Sequence, residues 1–147
     1  MIIDVHTHPP RHRAPVANSV ALVAPAWRPD KTVDIRTTWA DYELAMEGVD
    51  RAIAFNIATY PETPSGEPRS AYDTIFGPAL EINNAVAEFA REHDGRVIGF
   101  MSVHPDDPNA LKEMDRCVYD LGLRGLKLGM NYQRADLLGR KIGRAHV

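Results

Sequence analysis

A single cysteine, Cys117, occurs in the 147 residues. That count excludes an internal disulfide and suits a reducing cytoplasm. Cys117 falls among Leu111, Met114, Val118 and Leu121 at helical spacing, the setting of a buried thiol rather than a nucleophile. No run is long and apolar enough to span a bilayer. The N-terminus does not read as a signal peptide, because Asp4, His6 and His8 interrupt its apolar run almost at once. Positive charge is not in excess: 17 Lys and Arg against 20 Asp and Glu leave a net charge of -3. Neither nucleic acid nor an anionic membrane is therefore an expected partner. Internal repeats and low-complexity tracts are missing too. With 44% hydrophobic and 25% charged residues, the composition is that of one ordinary globular unit.

What the chain does have is concentrated in its first ten residues, MIIDVHTHPP. Ile2 to His8 reads as a short strand, rich in β-branched residues and stopped by Pro9 and Pro10. Residues two apart in a strand point the same way, so Asp4, His6 and His8 are expected on one face, and Ile3, Val5 and Thr7 on the other. Two imidazoles about 7 Å apart along the backbone can converge on one cation.

Residues 9–37, rich in Pro, Arg and Ala, read as a long loop over the site; His12, Arg11, Arg13, Arg36 and Trp27 lie in or beside it. Each cation there is either an anion ligand or solvated. TWADYELAMEGVD follows as a helix, capped by Thr38 and ending near Gly48. DRAIAFNI is a second strand, ATYPETPSGEPRS a second long loop, and residues 78–93 a second helix with His93, a structural residue, near its end. RVIGFMSV is a third strand. Asp107-Pro108 opens a third helix, Gly122 stops it, and LRGLKLGM is a fourth strand. Each crossover is long enough to hold a helix, so the expectation is an α/β fold with a parallel sheet and helices outside. Ligands in such folds gather at the C-terminal ends of the strands. His6, His8, Asn56, His104 and Lys127 all stand there. Lys127 is expected to face the site, either as a cation for a substrate carboxylate or in an ion pair with Asp4. His104 either touches substrate or belongs to the loop.

IIDVHTH, ELAMEGVDRAIAFN and the long stretch from NNAVAEFAREHDGRVIGFMSVHPDDPNA to LGLRGLKL together resemble the amidohydrolase superfamily. The narrower resemblance is to its amidohydrolase-related family, which includes aminocarboxymuconate-semialdehyde decarboxylase-like enzymes. It implies a (β/α)8 barrel with a divalent metal, usually zinc, at the C-terminal mouth, ligated by His6 and His8. It implies a metal-dependent hydrolase acting on a small carboxylated or cyclic substrate, and the full-length parent is expected to be a homo-oligomer. A non-oxidative decarboxylase or hydratase of the same family is the alternative reading. TatD-like nucleases start with a similar strand but carry a Glu on the fourth, where this chain reads GLRGLKLGM. A catalytically dead metal-binding scaffold is a further alternative.

The family pattern also places metal ligands and acid–base residues on later strands. Residues 1–140 are accordingly expected to be the N-terminal half of such a barrel, which needs about 250 residues to close. The closing KIGRAHV is the peptide that a common sequencing adapter encodes, so 141–147 are expected to be a non-native read-through tail and His146 no ligand. A half-barrel of this kind should be inactive alone and prone to self-association, with Ala52, Ala54, Ile98 and Phe100 adding apolar surface to its inner face.

Overall fold

The computed structural model describes residues 1–10, 13–14, 22–23, 32–33, 38–61 and 75–135. In chain order these contain β1 (Ile3–Thr7), β2 (Leu22–Val23), β3 (Thr32–Val33), α1 (Trp39–Ala45), β4 (Arg51–Ala54), β5 (Ile57–Ala58), β6 (Phe76–Gly77), α2 (Ala79–Glu92), β7 (Val97–Met101), α3 (Ala110–Tyr119), β8 (Gly125–Leu126) and α4 (Met130–Gln133).

Local chemistry starts and stops the helices. Thr38 Oγ1 accepts the Asp41 N–H at 3.3 Å while Asp41 Oδ2 accepts the Thr38 N–H at 2.7 Å, a reciprocal cap that opens α1. Gly95 and Gly122, at φ 77° and 70°, turn the chain out of α2 and α3 through a conformation that side chains disfavour. The third helix starts later than Asp107-Pro108 predicts. Asp107 Oδ1 instead accepts the Asn109 N–H at 2.8 Å, building a turn that leads into α3 at Ala110. His93 is structural: it packs on the Trp39, Tyr42 and Phe89 rings and faces Glu43 at 3.0 Å, tying α2 to α1.

The main sheet runs β1-β4-β7-β8 with every neighbouring pair parallel. α1, α2 and α3 lie in the three crossovers. This is the arrangement of the N-terminal half of a (β/α)8 barrel. α2 sits close on β7 because Gly99 has no side chain: a Cβ there would come within 2.6 Å of Leu123 and 3.2 Å of Val86. Two clusters fill the helix side, Val86, Ala87, Met101, Cys117 and Leu123 in one, Ala54, Phe89 and Val97 in the other. Cys117 is fully buried, and that burial, with Glu113 beside it, pushes its thiol up to about 12.

Two expectations are corrected. Ala52 and Ala54 do not face inward. Ala52 pairs with Val97 and Ala54 with Gly99, and in-register parallel neighbours share a face, so both alanines are buried under the helices. Ile53, Ile98 and Phe100, half-buried, take the other face. Short pairings also occur within the first loop, β2 with β3 antiparallel, and on either side of the second, β5 with β6 parallel. Two-residue strands are too short to leave a period in the sequence.

Candidate functional site

The first strand delivers its histidines through an irregularity. Asp4 pairs with Ala52 and Thr7 with Ala54, so three steps along β1 match two along β4. Such a bulge re-aims the side chains around it, so Asp4, in register with Ala52, takes the helix side with Thr7 and not the face of His6 and His8 that simple alternation predicts. Asp4 Oδ1 accepts the His6 N–H at 2.9 Å. Thr7 turns to the helix side, where its hydroxyl donates to the Ile53 carbonyl and accepts from Tyr42, both at 3.0 Å. Asp4 adds its charge near Tyr42, whose hydroxyl is pushed up mainly by burial.

His8 Nδ1 lies 2.7 Å from the Phe55 carbonyl oxygen. A carbonyl can only accept, so Nδ1 carries the proton and Nε2 keeps its lone pair. Burial lowers the His8 pKa from 6.5 and outweighs the Phe55 carbonyl and Asn56, which raise it; His6 and Lys127 lower it further. The ring is neutral, with one nitrogen ready for a ligand. The His6 and His8 rings stand edge to face with centroids 5.2 Å apart.

Phe55 lies between them and the lysine. Its ring centroid is 4.9 Å from that of His6 and 5.1 Å from that of His8, and Lys127 Nζ sits 4.7 Å from it. Lys127 therefore rests on an aromatic face rather than pairing with Asp4. Asn56, next along the chain, is 7% exposed; its side chain is close enough to His8 to favour the charged ring, yet its Oδ1 makes no hydrogen bond among the described residues. His6, His8, Asn56 and Lys127 are thus brought together around Phe55.

His104 has a different setting. Its Nδ1 accepts the Asp106 N–H at 3.2 Å, which leaves the proton on Nε2 to donate to the Gln133 carbonyl at 2.9 Å. Both ring nitrogens are engaged, and the side chain is buried against Tyr60. Arg13 is engaged as well, bonded to Glu88 and Glu92 on α2 and stacked on Trp39. Arg11, His12, Trp27, Arg36 and residues 136–147 lie outside the described residues.

Sequence reasoning missed Phe55, although the alternation Arg51, Ile53, Phe55 puts it on the inner face with Lys127. It missed Gln133, whose buried amide donates to the Ala58 and Val103 carbonyls and accepts from the Gly129 N–H. It also missed Asn83, which bonds the Ser102 backbone in both directions and reaches Glu113. No local signal marks the last two, because their partners are far away in sequence.

A model of the family described as Amidohydrolase matches residues 3–145. The chain belongs to the amidohydrolase family. No curated protein matched it. Membership supports metal-dependent, hydrolase-type chemistry for this amidohydrolase, on a fold of the (β/α)8 class. The chain supplies part of the donor set for such a metal: one imidazole with Nε2 open, a second beside it, and an amide oxygen without a partner among the described residues. Two imidazoles fall short of the three protein ligands of a catalytic zinc, and no group of three such residues forms among those described. Among the described residues, no helix of this amidohydrolase is long and apolar enough to cross a membrane.

Proposed function

We propose that His6 and His8 hold a divalent cation, zinc by preference, and that in the complete barrel the site hydrolyses a small carboxylated or cyclic substrate. The observation that carries this reading is the His8 Nδ1 bond to the Phe55 carbonyl, which leaves a neutral imidazole with its lone pair free beside a second imidazole. A bound divalent cation supplies Lewis acidity and lowers the pKa of water. The chain's own residues do the rest. Lys127 offers a cation with no carboxylate partner among the described residues, suited to a substrate carboxylate. Asn56 Oδ1 offers a buried acceptor to a donor on the substrate or to bound water. His104, with both nitrogens engaged, holds the Gln133 turn in place.

A decarboxylase or hydratase reading draws support from the same lysine, since a fixed ammonium orients a carboxylate whether that group leaves or stays. Metal analysis tests the common part. Zinc bound by the chain should fall on His6→Ala and on His8→Ala and persist in His104→Gln. Unchanged zinc in both of the first two variants would exclude the assignment.

A further inference from the structure

We propose that Phe55 is the positioning residue that couples the histidine pair to Lys127, fixing a positive charge beside the metal-binding imidazoles without neutralising it. The proposal rests on the metal reading above. Phe55 is buried at 3% exposure, yet it belongs to neither of the two core clusters. Among the described residues, the rings and cation that contact it are two imidazoles and an ammonium. Both backbone groups are committed to β1: its N–H donates to the Thr7 carbonyl at 3.1 Å and its carbonyl accepts from His8 at 2.7 Å. The backbone therefore sets the His8 tautomer just past the bulge. The ring does a separate job.

An aromatic face attracts a cation within about 6 Å of its centroid but carries no net charge. A carboxylate in the same place would also hold Lys127, but it would cancel the charge and compete for the metal. The Phe55 ring does neither, so the ammonium stays available to an anion. The electrostatic cost falls on the imidazoles, since the ammonium and both imidazoles lie against the same Phe55 ring. A cation held there repels a metal ion. One held less firmly would swing away and repel it less.

That difference gives the test, a double-mutant cycle read in Zn2+ affinity on the full chain. Lys127→Met in the wild-type background should tighten Zn2+ binding about three- to tenfold, because a fixed like charge is removed. In the Phe55→Leu background the same change should have little effect, the ammonium being already released. Phe55→Tyr, which keeps the ring, should restore the full effect of Lys127→Met. Phe55→Met takes the place of the leucine variant if that one does not fold. An equal effect of Lys127→Met with and without the ring would overturn the proposal, as would a tyrosine variant that behaves like leucine. The metal reading fails separately: it fails if Zn2+ affinity does not depend on His6 and His8 at all.

Discussion

At the C-terminal ends of β1 and β4, with Lys127 reaching in from the end of β8, polar atoms are left open; around Ser102, His104 and Gln133 they are closed. His8 bonds one carbonyl and keeps a lone pair, Asn56 has a buried oxygen with no partner among the described residues, and Lys127 lies on a ring. A few residues away, His104 uses both nitrogens, Gln133 makes three side-chain bonds, and Asn83 makes three more to Ser102 and Glu113. Both ends are built from the same residue types. What differs is whether the fold satisfies them. A buried acceptor without a donor is costly, and among the described residues Asn56 Oδ1 and Thr59 Oγ1 are the atoms in that position. Closed networks mark structure.

The comparison can be broken by exchanging amides for leucine at each end. Asn83→Leu should cost the most, about 4 kcal/mol in chemical denaturation, because it strands the Ser102 N–H and carbonyl together with Glu113. Gln133→Leu should follow at about 3 kcal/mol, since the Ala58 and Val103 carbonyls and the Gly129 N–H lose their partner. His104→Phe should cost about 1–2 kcal/mol while leaving bound zinc unchanged. Asn56→Leu should cost less, about 1 kcal/mol or below, because its Oδ1 makes no hydrogen bond among the described residues. A loss at Asn56 as large as that at Gln133 would erase the distinction between the two ends.

A subtler effect is expected in acid. Burial raises the Glu113 carboxyl, but hydrogen bonds from Arg116, Asn83 and Cys117 outweigh it and leave its pKa below 4.5. A carboxyl held lower in the folded chain adds stability that is complete above its unfolded pKa and is lost as pH falls through the folded value. Wild-type stability should therefore drop below about pH 4.5 more steeply than that of Glu113→Gln. Denaturation followed from neutral pH into the acid range reads the two slopes; equal slopes would remove Glu113 from the closed network's accounting.

The elements themselves were legible from local patterns. Thr38 and Asp41 cap α1 through a box only a few residues long, Gly95 and Gly122 end helices where no other residue sits easily, and the spacing of Ile82, Val86 and Phe89 marks the buried stripe of α2. Each of these signals lies within one or two turns of chain. The histidine pair was legible for the same reason, since His6 and His8 are two residues apart.

Other features depend on partners that only the fold brings near. The facing of Ala52 and Ala54 is decided by the register of β4 against β7, and the bulge in β1 by its register against β4. The proton on His8 is assigned by a carbonyl 47 positions along the chain, and the amides of Asn83 and Gln133 find partners 19 and 75 positions away. Sequence alone determined that two imidazoles, an amide and a lysine stand at strand ends. Tertiary structure decided which nitrogens and oxygens remain open, because a hydrogen bond needs both its partners in place and the strands carrying them meet only in the folded chain.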